Sequence, residues 1–495
     1  MSGGDRGLPA DGALLRRVTA SAVVLVLVLA GVSYRLDLGA RLFGWDDPSP
    51  LTEPAEVLPP PGLELPPADE GQRPVAVPAP APAADPRKVR RAIAPLVADK
   101  DLGPRIAVTV TQLFDGRTVY DTGPDRVTPA STIKLVTCIA ALEALGPEHR
   151  FRTTVRTGTT PRDIVLVGGG DPLLTRRPPD PGEVYPARAD LRTLAEATAR
   201  ALRARGRTTV RLTYDTSLFT GPSVSPAWRP SYIPDDVVSP ISALWVDEGR
   251  ARLGFALRSD DPAAEAARAF TTALRAQDIT VRGRPRVGVA PTGSAQLASV
   301  ASAPLGQVVQ RILEVSDNEA AEVLFRHVAI AEGRPASFAG AARAVVDVLG
   351  RLGVDLGDER ILDGSGLSRQ NRLSPDTLVA VLELAASEEH PQLRSVAVDL
   401  PVAGFTGSLA YRFETAQAGL GRVRAKTGTL SGVHGLAGVV TSRDGVVLAF
   451  AAVADRVRIA DTLDARAVLD EIAGALAGCR CATGAGAGAG ASPTT

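Results

Sequence analysis

Four lysines, Lys88, Lys100, Lys134 and Lys426, stand against 51 arginines in this chain of 495 residues. Two of the four sit where hydrolytic chemistry needs an amine. Lys134 closes Ser131-Thr132-Ile133-Lys134, Lys426 opens Lys426-Thr427-Gly428, and the 291 residues between them contain no lysine. Either basic residue can supply a surface charge, and this chain uses arginine for it. Arginine keeps its proton near neutral pH, whereas a lysine withdrawn from water can release it. The two retained lysines are therefore candidates for chemistry, while Lys88 and Lys100 are read as chance survivors.

A serine and a lysine three residues apart at the start of a helix share one face. The amine can then take the serine proton, and the helix N-terminus favours the negative charge that develops. Ser316-Asp317-Asn318 follows the apolar helical stretch from Gly306 to Val315. It offers a hydroxyl as proton relay and an amide to hold a substrate carbonyl, although S-x-N alone is also a common cap or turn. Lys426-Thr427-Gly428-Thr429 precedes a turn and a strand. There the cation suits a carboxylate, Thr427 adds a hydroxyl, and Gly428 admits a substrate backbone. Each motif is weak by itself; the order S-x-x-K, S-x-N, K-T-G is specific.

The elements that must position these residues are legible on either side of them. Val89 to Leu96 predicts a helix, Arg105 to Leu113 and Thr118 to Tyr120 two strands turned by Asp115-Gly116, and Pro129 to Leu145 the helix that carries Ser131. After Phe151 the pattern changes to short strand-like runs punctuated by Gly and Pro, with helices expected at Asp190 to Arg205 and Pro262 to Ala276. Long helices return from Leu305. Val433 to Thr441 and Val446 to Val453 predict two antiparallel strands, and Ile459 to Leu476 a closing helix.

Other chemistries find little support. The 55 acidic and 55 basic residues cancel, which argues against nucleic acid as the main partner. The four histidines fall in no metal-ligand spacing and no G-x-S-x-G elbow occurs. Three cysteines make no disulfide framework: Cys138 is expected buried on the Ser131 helix, and the pairing of Cys479 with Cys481 is open. At the N-terminus, Arg16-Arg17 precede an uncharged run from Val18 to Tyr34. It is expected to be an uncleaved membrane anchor, with a removed signal peptide as the alternative, leaving residues 1–17 inside the cell and the rest outside. Residues 35–87 have linker composition, and the part from Pro48 to Asp85 could reach on the order of 100 Å in polyproline form. Residues 479–495 are expected to be a disordered tail.

The three motifs together resemble the signatures of penicillin-binding proteins and serine β-lactamases. The 185 residues from Ser131 to Ser316 exceed what a compact β-lactamase needs. An insertion of that size resembles the class C low-molecular-mass penicillin-binding proteins, which are D-alanyl-D-alanine carboxypeptidase/endopeptidases. Gly168-Gly169-Gly170-Asp171-Pro172, Asp363-Gly364-Ser365-Gly366-Leu367-Ser368-Arg369 and Ala425-Lys426-Thr427-Gly428-Thr429-Leu430 resemble that family too. The resemblance spans about residues 88 to 478 and implies an α/β (α+β) fold. A transpeptidase/serine β-lactamase-like domain, an antiparallel sheet flanked by helices, would comprise residues 88–150 and 299–478, interrupted by a β-containing insertion at 151–298.

The resemblance also implies acyl transfer on peptidoglycan stem peptides and acylation by β-lactam antibiotics, with no metal or organic cofactor. Ser131 would attack, Lys134 would be the base, Ser316 would pass a proton to the leaving amine, and Asn318 would hold the substrate. Lys426 and Thr427 would bind the terminal carboxylate. Backbone N–H groups of Ser131 and Thr429 would stabilise the oxyanion, and Arg369 would meet an acidic part of the stem peptide. Two rival readings are a β-lactamase and a non-catalytic wall-binding or antibiotic-sensing protein.

Overall fold

The computed structural model describes residues 82–180, 182 and 184–483. The expected cytoplasmic segment, the anchor at 18–34, nearly all of the linker, and the tail beyond Thr483 lie outside the described residues. Among the described residues no helix is long and apolar enough to cross a membrane.

Helix α1 (Pro86–Val97) leads into the hairpin β1 (Ile106–Gln112) and β2 (Arg117–Thr122). A 3-10 turn, Ala130–Ile133, then runs into α2 (Lys134–Leu145). The inserted lobe follows as β3 (Arg152–Thr157), β4 (Asp163–Val167), α3 (Leu191–Arg203), β5 (Thr209–Asp215), α4 (Pro262–Arg275), β6 (Thr280–Val281), β7 (Arg286–Val287) and β8 (Gln296–Ala301). The chain returns through α5 (Leu305–Val315), α6 (Asn318–Ala331), α7 (Phe338–Arg351), α8 (Pro375–Ala386) and the single turn α9 (Ser395–Val398). Strands β9 (Val423–Leu430), β10 (Val433–Thr441) and β11 (Val447–Ala454) and helix α10 (Thr462–Gly478) complete it.

The first sheet has the order β2-β1-β11-β10-β9 and is antiparallel throughout. Its central strand β11 alternates between two cores. Ala449, Ala451 and Val453 join the core around α2 and α8, while Leu448, Phe450, Ala452 and Ala454 join the core under α1 and α10. A strand covered on both faces must be apolar at every position, which the run VLAFAAVA satisfies. Helix α2 is likewise buried along Lys134 to Leu142, as expected of a helix apolar on all sides. The expected sheet with helices on both sides is what the chain forms.

The second sheet has the order β6-β5-β4-β3-β8, with β7 also pairing β5. It is mixed, β4 running parallel to β5 and β3 antiparallel to both β4 and β8. Helices α3 and α4 pack on it around a separate core.

Three expected boundaries need correction. The division between 298 and 299 cuts β8, whose pairing with β3 runs to Ala301. The insertion is also not wholly separate. Its segment 219–245 leaves the second sheet and buries Trp228, Tyr232, Ile241 and Trp245 in the α2–α6–α7 core. The Gly168–Asp171 stretch makes the junction: Gly170 N donates to Ala243 O at 2.8 Å, and His327 Nε2 of α6 meets Gly170 O at 3.0 Å.

At the ends, α1 begins within the expected linker, with Asp85 accepting from Arg87 N as its cap. Residues 479–483 are packed rather than a free tail. Cys479 and Cys481 form a disulfide, Cys481 is fully buried, and Asp85 N donates to Cys481 O while Thr483 N donates to Ala83 O, both at 2.7 Å.

Candidate active site

The three motifs, separated by up to 295 residues in the chain, meet at one place. Ser131 lies in the 3-10 turn ahead of α2, Lys134 opens α2, Ser316 and Asn318 flank the junction of α5 and α6, and Lys426 to Thr429 lie within β9. The last placement adds to an expectation. K-T-G does precede a turn and a strand, β10, as expected, but it also lies within a strand of its own, β9, which the sequence reading did not assign.

Lys134 Nζ donates to Ser131 Oγ at 2.9 Å, to Asn318 Oδ1 at 2.8 Å and to Ser365 O at 2.6 Å. All three ammonium hydrogens are thus placed, and the serine oxygen is one of their acceptors. Lys426 Nζ donates to Ser316 Oγ at 2.8 Å and to Thr427 O at 2.9 Å, and Thr427 Oγ1 donates to Ser408 Oγ at 3.0 Å. Both lysines are fully buried, whereas Ser131, Ser316 and Asn318 are only partly so. The amines form the floor of the site and the hydroxyls and amide face outward from it.

Burial lowers the Lys134 pKa to about 8, against the opposing pull of Glu322, Asp363 and Asp317. Lys426 is lowered too, by burial first and by the like charge of Lys134 second. An amine near its neutral form beside a hydroxyl is a general base for that hydroxyl. Cys138, one turn further along α2, has its thiol pushed up to about 12 by burial and is inert packing.

Two backbone features set the approach of these segments. Ala130 (φ 47°) and Ser316 (φ 61°) both adopt the left-handed conformation that ordinary residues avoid, one directly before the candidate nucleophile and one at the candidate relay. Gly428 lets β9 press against the Ser131 turn: a Cβ there would stand 2.8 Å from Pro129 O and 3.1 Å from Thr132 Cγ2. The sequence suggested that Gly428 makes room for substrate; the nearest atoms are those of the nucleophile's own turn.

The loop Asp363–Arg369 was legible as a motif but not as a support. Asp363, fully buried, accepts from Trp228 Nε1, Gly366 N, Ser368 N and Asn371 Nδ2 at 2.6–3.0 Å. Glu322, four residues after Asn318 on the same face of α6, accepts from Ser365 N at 2.8 Å and Gly364 N at 3.2 Å. Helix α6 therefore controls both fixed acceptors of the Lys134 amine, Asn318 directly and Ser365 O through Glu322. Nothing in the sequence set Glu322 apart, since α6 also carries Glu319, Arg326 and His327. Asn318, expected to hold substrate, has its oxygen committed to Lys134.

Arg369 lies at the rim, donating from Nη2 to Ser431 O in the β9–β10 turn. Burial lowers its proton affinity, the nearby Arg229 lowers it further, and its Nε is buried without a partner among the described residues. Beside Ser316 and Asn318, Glu248 accepts from Arg311 of α5 at 2.9 Å, from Arg188 at 3.1 Å and from Arg250 at 3.2 Å, while Arg258 pairs with Glu319 at 2.6 Å. These pairs fasten the inserted lobe to α5 and α6 on either side of S-x-N. No group of acidic, histidine or cysteine side chains suited to a metal occurs among the described residues.

The chain is similar to known proteins over most of its length. The D-Ala-D-Ala carboxypeptidase 3 (S13) family matches residues 89–256 and 250–477. Carboxypeptidase DacB of Mycolicibacterium smegmatis is 35% identical over 94% of this chain and 97% of its own length. A carboxypeptidase of Mycobacterium tuberculosis is 37% identical over 80% of this chain and 85% of its own. Penicillin-binding protein 4 of Haemophilus influenzae has a similar fold, with a TM-score of 0.63, 23% identity and coverage of 78% of this chain and 98% of that one. The same protein has also been crystallised with a β-lactam.

Proposed function

The chain belongs to the D-Ala-D-Ala carboxypeptidase 3 (S13) family, and from that premise we propose how its residues perform the chemistry. The protein is a serine-type D-Ala-D-Ala carboxypeptidase/endopeptidase that acts on peptidoglycan stem peptides through an acyl-enzyme and is acylated by β-lactams. The contact between Lys134 Nζ and Ser131 Oγ, at 2.9 Å on a buried amine, carries the mechanistic reading.

Ser131 Oγ attacks the carbonyl carbon of the penultimate D-alanine as its proton passes to Lys134 Nζ. Backbone N–H groups of Ser131 and Thr429 receive the oxyanion. Collapse expels the terminal D-alanine, whose amine takes a proton through Ser316, already hydrogen-bonded to Lys426. Lys134, having passed its proton by way of Ser316 to the leaving amine, takes a proton from the water that attacks the ester and returns it to Ser131 Oγ. Lys426 and Thr427 bind the terminal carboxylate. Burial disfavours the Lys426 charge, and a carboxylate arriving beside it favours the charged form and strengthens the pair. Asn318 keeps the Lys134 amine aimed at Ser131.

Penicillin treatment followed by intact-mass measurement and peptide mapping tests the assignment. One adduct on Ser131 is expected, and an adduct elsewhere, or none, refutes it. Release of D-alanine from a pentapeptide separates the enzyme from a binding protein that has kept only the shape of the site.

Arg369 is the recognition residue for an acidic group of the stem peptide, supported by its rim position, its Nε without a partner among the described residues and the neighbouring Arg229. Arg369→Ala is expected to slow turnover of a stem peptide with a free side-chain carboxylate while penicillin acylation stays near normal. Equal losses on carboxylate and amidated peptides would leave it a surface charge. The run Val18–Tyr34 after Arg16-Arg17 supports a single-pass anchor with the catalytic domain outside the cytoplasmic membrane, and N-terminal sequencing of the mature protein decides between that and cleavage.

A further inference from the structure

The inserted lobe carries a charge that the whole chain does not. Residues 151–298 contain 21 arginines, no lysine and 15 acidic residues, a net +6 in a chain of net charge zero. A third of these arginines, seven of 21, form ion pairs among the described residues. Arg176 pairs with Asp247 and Glu265, Arg211 with Asp163, Arg188 and Arg250 with Glu248, and Arg258 with Glu319. One group of the rest stands together. From Ile279 to Leu313 there is no acidic residue, and Arg282, Arg284 and Arg286 alternate there with Gly283 and Pro285.

The sheet brings these residues to one edge. Strand β6 pairs with the beginning of β5 and β7 with its end, Thr213 opposite Arg286, so the connection bearing Arg282 and Arg284 runs alongside β5. Arg211 of β5 joins them, and the four guanidinium-bearing side chains line a groove of about 460 Å³. The carboxylate on its wall, Asp163, is engaged by Arg211 at 2.7 Å and by Thr160 Oγ1 at 2.6 Å. Arg282, Arg284 and Arg286 are exposed and form no ion pair among the described residues. Clustered like charges without counter-ions destabilise the fold that holds them, and an anionic partner removes that cost.

We propose that this groove is a second contact for the polymer on which the enzyme acts, binding free carboxylates of peptidoglycan stem peptides away from Ser131. The proposal rests on the carboxypeptidase reading, which makes a carboxylate-bearing polymer the substrate. Arginine forks match carboxylates bidentately, and several in a row suit a ligand that repeats its carboxylates along a strand. A second site on one polymer raises the effective concentration of stem peptides at the first, and contributes nothing for a single small peptide.

The test uses the full-length protein and insoluble, cross-linked peptidoglycan freed of phosphodiester polymers. Wild type is expected to sediment with it at low salt and to be released between roughly 50 and 500 mM salt, where exposed charges are screened. The triple variant R282E/R284E/R286E is expected to sediment about tenfold less, because reversed charges repel carboxylates. Its turnover of a soluble pentapeptide and its acylation by penicillin should match wild type, which also shows that it folds. If it does not fold, unmodified protein still decides: peptidoglycan whose carboxylates have been amidated should no longer retain the wild type. Equal sedimentation of variant and wild type, retention on amidated wall, or binding only to wall that keeps its phosphodiester polymers each overturns the proposal. Failure of the carboxypeptidase reading shows separately, as absence of the Ser131 adduct and of D-alanine release.

Discussion

At the scale of single residues, the site depends on where one amine keeps its proton. Lys134 must be uncharged to accept the Ser131 proton, and its pKa is lowered to about 8, so acylation should rise with pH through that value. The Glu322 carboxyl, itself raised to about 8 by burial and by Asp363, opposes the lowering where it is ionised and holds the loop whose Ser365 carbonyl accepts from the amine. Glu322→Gln removes the charge and one backbone acceptor. We therefore expect the acidic limb of the acylation profile to move to lower pH, with a plateau reduced by about tenfold or more through misplacement of Lys134. An unmoved limb would reduce Glu322 to packing. Lys134→Arg should instead lose about 10²–10⁴ in acylation rate at every pH, since a guanidinium cannot take the proton. Ser131, Lys134 and Lys426 were legible because a chain that uses arginine for charge had retained lysine there. Glu322 and Asp363 were not, because a buried carboxylate looks like any other acid until its hydrogen-bond donors are known.

At the scale of elements, most helices and strands could be read from periodicity and punctuation, and β9 shows where that reading stops. Lys426-Thr427-Gly428 has too little apolar character to declare a strand; pairing with β10, Ala437 opposite Lys426 and Gly435 opposite Gly428, overrides the local pattern. The Gly428 position then becomes a packing constraint between β9 and the Ser131 turn. Gly428→Val should cost about 1–3 kcal/mol of stability by overpacking. It should slow penicillin acylation by roughly 100-fold, because the clash falls on the backbone that carries the nucleophile. Thermal melts read beside acylation rates check this. A variant that loses stability but acylates normally would place the strain elsewhere.

At the scale of the whole molecule, the insertion is continuous with the catalytic core rather than appended to it. Gly and Pro between 216 and 246 suggested only short runs, and the long-range burial of Trp228 and Trp245 left no periodic trace in the sequence. Those residues are two of the chain's three tryptophans, so indole fluorescence reports directly on the junction. Its thermal transition should coincide with loss of penicillin acylation, and excision of residues 152–301 should leave no folded remainder, since it strips side chains from the main core. Two separate transitions would mean that the lobes fold independently. The ends of the fold have a consequence of their own. Because residues 83–85 and 481–483 are hydrogen-bonded to each other, the path of the backbone is nearly a ring. A circular permutant, closed there and opened at the exposed turn around Gly254, would present its signatures in the order S-x-N, K-T-G, S-x-x-K while building the same site. The order that makes the motifs recognisable records where the ring is opened; the chemistry requires only that they meet.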